Sequence, residues 1–322
     1  MSSYYSVYVS YIFHMVALSL IFLLGTIGNG LVIWFAAFRM KKTVNSIWLL
    51  SLAVADFTFS LFLPLTITYL ALNYRWPFGT FMCHLNHLVL FINLSASVLQ
   101  LTVISIDRCI ATVFPVWCQN HRTVRLTVKV VVAVWILSLI FSIPYSIDTN
   151  SAGLTSLLIC YIPGSGASFV YKGQVIVRFI GFFLIPFLII LSCYTVIFWR
   201  IHRNRIATST KPFKVIAAVI SSFFICWFPY HLFSIWMLVA PNDFELLVKL
   251  HVGTVISTCL AYANSCVNPV LYVFMGRDFK ETFWRSIQST LEKAFSEEVN
   301  QVKTNRNVGD YTSSATCAIS QL

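Results

Sequence analysis

Seven stretches of this chain are each long and apolar enough to cross a membrane, and nothing else constrains its fold as strongly. A spanning helix needs about 20 mostly apolar residues to cover about 30 Å of hydrocarbon. The stretches run over 12–38, 46–70, 82–113, 126–147, 174–201, 213–239 and 246–274. None alternates in ten-residue segments, which argues against a β-barrel. In lipid every backbone N–H and C=O must be satisfied internally, and a helix does this within itself. Composition points the same way. Only 10% of residues are charged and 58% are hydrophobic, whereas a soluble domain carries about 25% charged residues. The predicted fold is an all-α membrane protein, a seven-transmembrane helix bundle. Pro64, Pro144, Pro186, Pro229 and Pro269 fall inside spans and predict kinks.

Charge sets the expected orientation. The first connection holds Arg39, Lys41 and Lys42 without an acid. The third holds Arg122 and Arg125 with Lys129 just beyond, and the fifth Arg200, Arg203, Arg205, Lys211 and Lys214. Of 22 Lys and Arg, the opposite side receives only Arg75, Lys172, Arg178 and Lys249. The positive-inside rule puts the rich side in the cytoplasm, with the N-terminus outside and the C-terminus inside a multi-pass membrane protein. The net charge of +11 is then a cytoplasmic collar facing anionic lipid, and no nucleic-acid partner is expected. The chain divides into a short extracellular N-terminus (1–11), the bundle (12–274), an amphipathic eighth helix (277–295) carrying Phe279, Phe283, Trp284, Ile287 and Leu291, and a disordered cytoplasmic tail (296–322). The first apolar run is too long for a signal peptide and reads as a retained helix.

Polar groups inside a membrane are costly, so each is a functional candidate. Asp56 sits mid-span, and Asn29 follows Gly28 in the first helix. Asn93 and Ser97 share one face of the third, while Asn264, Ser265 and Asn268 crowd the seventh. One carboxylate among neutral oxygens suits a small hard cation; a hydrogen-bonded packing network without an ion is the alternative. Asp107-Arg108 ends the third helix, either as an ion pair that can open or as two charges reaching the interface. Of nine cysteines, Cys83 and Cys160 face the oxidising side, where a bridge can form. Enzyme signatures are missing: there is no His-Glu-x-x-His, no Gly-x-Ser-x-Gly and no catalytic carboxylate pair. Nor is there the internal repeat of a transporter.

Seven spans with Gly28-Asn29, Leu52-Ala53-Val54-Ala55-Asp56, Trp76-Pro77-Phe78-Gly79, Cys83, Asp107-Arg108-Cys109, Trp135, Cys160, Pro186 with Tyr194, Phe223, Cys226-Trp227-Phe228-Pro229 and Asn268-Pro269-Val270-Leu271-Tyr272 resemble the rhodopsin-like (class A) G protein-coupled receptors. Within that family the chain resembles the chemoattractant branch, the formyl peptide receptors and the chemokine-like (chemerin) receptor. The carrying segments are Phe38-Arg39-Met40-Lys41-Lys42-Thr43-Val44, Pro115-Val116-Trp117, Gln119-Asn120-His121-Arg122-Thr123 and Lys211-Pro212-Phe213.

The resemblance implies a receptor in which an extracellular agonist and a cytoplasmic G protein stabilise the same state reciprocally. It implies a Cys83–Cys160 disulfide and a ligand pocket of His87, Phe91, Arg178, Trp227, Tyr230 and His231. It implies an allosteric sodium ion, with no other cofactor, held at Asp56 in a network with Asn93, Ser97, Asn264, Ser265 and Asn268. The coupling surface would be Asp107, Arg108, Tyr194 and Tyr272. The partners implied are inhibitory-class (Gi/o) G proteins, and arrestin with receptor kinases acting on Ser286, Ser289, Thr312, Ser313, Ser314 and Thr316. A light sensor is excluded by Tyr262 where the chromophore lysine would stand.

Departures from the resemblance shape the expected ligand. The acidic residue that grips formyl-methionine in formyl peptide receptors falls on Phe91, and the outer of two arginines falls on Gln174. Arg178 remains and wants an anion, unless Asp148 supplies it. The N-terminus holds Tyr4, Tyr5, Tyr8 and Tyr11 but no acid to capture a basic protein. A small peptide or anionic lipid mediator is therefore the expected agonist. An arrestin-only scavenger and a sensory (nasal) chemoreceptor are the alternative roles.

Overall fold

The computed structural model describes residues 2–147, 150–152, 159–161, 169–204, 211–241 and 243–275, with the backbone alone at 2–4, 147, 150–152, 159–161, 169–170, 204, 211–216 and 272–275. The expected eighth helix, the tail and its serines and threonines, and Asp148 lie outside the described residues.

Nine helices are described: α1 (Ser2–Trp34), α2 (Val44–Ala71), α3 (Gly79–Val113), α4 (Pro115–His121), α5 (Val124–Ile147), α6 (Phe169–Phe179), α7 (Ile185–Asn204), α8 (Lys211–Val239) and α9 (Phe244–Met275). They supply seven spans long and apolar enough to cross a membrane, because α6 and α7 join through a π-helical stretch, Ile180–Leu184, into one. A two-stranded antiparallel hairpin, β1 (Asn150–Ala152) and β2 (Ile159–Tyr161), lies between α5 and α6, with Ser151 opposite Cys160. The fold class is otherwise all-α, a seven-transmembrane bundle.

Local chemistry explains where the helices begin. Thr43 Oγ1 accepts from Ser46 N at 3.1 Å while Ser46 Oγ accepts from Thr43 N at 2.8 Å, a reciprocal cap that starts α2. Asp243 Oδ1 accepts from Glu245 N at 2.9 Å ahead of α9. Pro115 stands at the first turn of α4, where its missing N–H costs nothing. The π stretch sits just upstream of Pro186, whose ring and absent N–H disrupt the α ladder. A second π stretch, Phe35–Arg39, ends the first span, with Met40 N bonded to Phe35 O at 3.0 Å. α2, α5, α8 and α9 run continuously through Pro64, Pro144, Pro229 and Pro269.

Two boundaries differ from the sequence expectation. α1 begins at Ser2, so most of the segment expected as a separate N-terminal arm is the first turns of the helix. Tyr11 anchors it, donating its hydroxyl to Leu70 O. α6 begins at Phe169, five residues before the predicted span.

α3 is the axis of the bundle and packs on α2, α5 and α7, while α1 packs on α2 and α9, and α8 on α9. Of the most apolar window of α3, 67% is buried, against 22% for α5 and α9. α5 instead turns Val132, Ile136 and Ile140 outward, about half exposed each. That apolar surface is stable against lipid and costly in water. The α1–α9 contact depends on a small residue. A Cβ at Gly28 would lie 3.1 Å from the Pro269 ring, so the absence of a side chain sets how near the two helices come.

Candidate functional site

Three polar constellations stand along the axis of the bundle. For orientation, the hairpin end is the end with β1 and β2, and the α4 end is its opposite.

Midway, Asp56 is 1% exposed on α2. Its Oδ1 accepts from Asn93 Nδ2 at 3.0 Å and Ser265 Oγ at 2.8 Å, and its Oδ2 from Asn268 Nδ2 at 2.8 Å. The carboxylate therefore ties α2, α3 and α9 at one point. Asn29 extends the network to α1, donating to Ser265 O at 2.9 Å and Gly25 O at 3.0 Å. Ser97 and Asn264 are buried as well but do not bond Asp56. Ser97 lies one turn from Asn93, on the α3 face that Asn93 aims at Asp56. Three buried oxygens of this network, Ser97 Oγ, Asn268 Oδ1 and Asn29 Oδ1, have no partner among the described residues. Leaving such groups dry costs about 1–3 kcal/mol each.

Toward the hairpin end, α6 carries Arg178, 7% exposed. Its guanidinium carbon stands 5.0 Å from the Tyr230 ring centre and 5.9 Å from that of Phe91. Phe91 stacks on Tyr145 with centroids 4.3 Å apart, and the Tyr145 hydroxyl donates to Gln174 O at 3.3 Å. Arg178 Nε has no hydrogen-bond partner and the group no ion pair among the described residues. Ring faces contribute about 2 kcal/mol to a desolvated cation, less than the several kcal/mol that burying an ion costs. The site is thus a cation short of an anion. His231, 1% exposed, has its Nε2 without a partner among the described residues and stands between Phe183 (4.9 Å) and Trp227 (6.3 Å). Trp227 is edge-on to Tyr230 at 5.7 Å and meets Phe223 at 5.9 Å. His87 Nδ1 lies 3.0 Å from Cys83 O, which places the ring proton on Nδ1 as donor. Tyr145 was not among the expected pocket residues. Its only sequence signal is an aromatic after Pro144 near a span end.

Cys83 is disulfide-bonded. The backbone of Cys160 is central in β2, and its side chain lies outside the described residues.

At the α4 end, the structure divides Asp107 differently from the sequence expectation. Both its oxygens go to Arg122, Nε to Oδ1 at 2.8 Å and Nη2 to Oδ2 at 2.9 Å. Arg108, the expected partner, approaches only with Nε at 3.5 Å from Oδ2. Its Nη2 donates to Asn45 Oδ1, and Arg122 Nη2 reaches that same oxygen at 3.0 Å. Arg122 and Asn45 were thus missed as site residues, because an arginine in a basic connection reads only as a topology signal. The Tyr194 hydroxyl is buried without a partner among the described residues. Tyr272 is helical in α9, and its side chain is outside the described residues.

Among the described residues no three His, Cys, Asp or Glu gather to hold a metal.

Comparison with known proteins fits this geometry. The family described as 7 transmembrane receptor (rhodopsin family) matches residues 28–272. Human chemerin-like receptor 1 is 43% identical over 310 residues, covering 90% of this chain and 82% of that one. Human N-formyl peptide receptor 3 is 41% identical over 312 residues, covering 92% and 88%, and the orangutan (Pongo pygmaeus) protein of that name is also 41% identical, covering 92% and 89%. The chain belongs to the rhodopsin (class A) family of G protein-coupled receptors, in its chemoattractant branch: a multi-pass membrane receptor, and not an enzyme.

Proposed function

We propose that the receptor recognises a small peptide or lipid mediator through a carboxylate, and that Arg178 is the anchor. One observation carries this reading: Arg178 is buried against the faces of Phe91 and Tyr230 with no anion among the described residues. A bound carboxylate completes a bidentate, charge-assisted pair there. Its apolar remainder rests on Phe91, Tyr230 and Trp227, and Trp227 continues through Phe223 along α8. An agonist favours whichever arrangement of these rings gives it better contacts, and so biases α8. The relatives' names point to chemerin and to formyl peptides. Phe91 and Gln174, where formyl peptide receptors carry an acid and an arginine, weaken the case for formyl-methionine here.

The rest of the proposal follows the family. The basic α4 end faces the cytoplasm, the hairpin and the N-terminus face outward, and coupling is to Gi/o proteins and arrestin. Asp56 is the charged ligand of an allosteric sodium ion. Ser97 Oγ and Asn268 Oδ1, without partners among the described residues, are neutral oxygens of the kind such an ion takes, so the donor set fits. A bound ion there would supply positive charge to Asp56, while Asn93, Ser265 and Asn268 hold the carboxylate in place.

The test is a cell assay of cAMP inhibition, with and without pertussis toxin, beside arrestin recruitment. Candidate acidic lipids and peptides are screened against their methyl esters or C-terminal amides. The expected result is a toxin-sensitive response that needs the free carboxylate and falls at least tenfold in potency in Arg178→Ala, the scale of a lost charge-assisted contact. An agonist equally potent as its ester, or unaffected by the substitution, would sink the proposal. Arrestin recruitment with no cAMP response would favour a scavenger.

A further inference from the structure

Arg108 has two acceptors within reach at the α4 end, Asp107 and Asn45 Oδ1, and it holds the weaker share of the carboxylate. Asp107 gives both oxygens to the Arg122 fork at 2.8 and 2.9 Å, while Arg108 Nε stands 3.5 Å away. Two guanidiniums thus divide one carboxylate and one amide oxygen, Asn45 Oδ1. Paired parallel N–H···O bonds are the strong arrangement. The groups are sheltered, with side chains 11% (Arg108), 16% (Asp107) and 24% (Arg122) exposed, so solvent screens them less than an open surface pair.

The position of Arg122 is not that of a loose loop residue. It is the C-cap of α4, with its N–H bonded to Cys118 O at 2.9 Å, and Cys118 is itself buried. A short helix beginning at Pro115 therefore delivers the guanidinium to Asp107 at a fixed place.

We propose that Arg122 is a positioning residue for Arg108. By occupying both oxygens of Asp107 it leaves Arg108 weakly tethered, and this, resting on the reading that Arg108 belongs to the coupling surface and is exposed when it leaves Asp107, keeps the resting receptor close to the state that accepts a G protein. Removing Arg122 frees Asp107 to turn its fork toward Arg108, which lies beside it in the chain. The tether tightens, and the inactive state deepens.

The experiment uses the full-length receptor purified into lipid nanodiscs, with agonist-independent nucleotide exchange measured on heterotrimers of the four G protein classes. The variants are Arg122→Gln, Arg122→Lys, Asp107→Asn and the Asp107→Asn/Arg122→Gln pair. In the class that wild type activates, Arg122→Gln is expected to lower basal exchange about fivefold, the scale of one redistributed charge-assisted contact. Arg122→Lys restores part of it, because one ammonium cannot reproduce the fork, and it shows that the fold survives at this position. In the Asp107→Asn background the Arg122→Gln change has no further effect, since no carboxylate remains to redistribute. Basal exchange that is unchanged or raised in Arg122→Gln would overturn the proposal. So would an equal fall in the Asp107→Asn background, which would make Arg122 only an anchor for α4.

Discussion

Asp56→Asn separates the two meanings of the buried carboxylate, as a packing centre and as an ion ligand. The substitution is isosteric. Asp56 accepts three hydrogen bonds at 2.8–3.0 Å, and an amide in its place keeps the oxygen that Asn93 and Ser265 share. Its new N–H₂ would face Asn268 Nδ2, donor against donor. Asn268 relieves this by turning over its amide, because its Oδ1 has no other partner among the described residues. All three bonds then persist as neutral ones. Each loses about 1 kcal/mol of charge assistance, about 3 kcal/mol in all. Removing a buried charge returns several kcal/mol of desolvation, so the net stability change in the absence of sodium is within about 2 kcal/mol. The sodium response behaves differently. For wild type at about ten times the dissociation constant, linkage adds about 1.4 kcal/mol, which is about 2–5 °C of melting temperature. The assay is thermal unfolding of purified receptor in sodium chloride against N-methylglucamine chloride at equal ionic strength. Wild type should show the shift, and Asp56→Asn should show none while melting close to wild type without sodium. An equal shift in both proteins, or none in wild type, would refute the ion-ligand reasoning and leave Asp56 as a packing centre.

Two further outcomes follow from the same kind of accounting. Arg178→Met keeps the volume of a buried side chain and removes a cation that only ring faces support; the ligand-free receptor should melt a few degrees higher while its response to an acidic agonist is lost, and a lower melting point would mean that Arg178 has a structural partner. Thr43→Ala removes the oxygen that accepts from Ser46 N, so amide exchange in the first turn of α2 should quicken about fivefold, matching a lost cap of about 1 kcal/mol, and unchanged protection there would contradict the cap's role.

What the sequence showed depended on how each feature writes itself into composition. The seven spans were legible because a membrane demands long apolar runs whatever their neighbours. Asp56 was legible for the converse reason, since a carboxylate in such a run is costly enough to mark itself. The start of α1 was not, because Tyr4 to Tyr11 are neither apolar enough to read as span nor polar enough to read as arm. Arg122 was hidden among other arginines of the same connection, and only geometry distinguishes the one that forks onto Asp107. Tyr145 reached the Arg178 site through its stacking on Phe91, a tertiary contact between α3 and α5 that no spacing encodes. Of the two π stretches, Ile180–Leu184 left only the kink that Pro186 predicts, and Phe35–Arg39 left no trace in residue type.

The stretch Ile180–Leu184 nonetheless sets what the fifth span can do. An α-helix advances about 100° per residue, so from Arg178 the positions of Ile190 and Ile197 would fall about 120° and 100° away around the axis. A π turn absorbs one extra residue, which brings the same two positions to about 20° and 0°. Both isoleucines are in fact buried, as Arg178 is. Tyr194, about 160° from Arg178 in an unbroken helix, comes to about 60° by the same reckoning. The span is two cylinders joined with a fixed offset, like a key whose two ends are cut to different registers. Its length tolerates change better than its phase: losing a single residue between 180 and 184 would let the π turn relax to α and keep both faces, whereas losing one between 187 and 193 would leave the span able to cross the membrane yet turn Tyr194 and Ile197 by about 100° against Arg178.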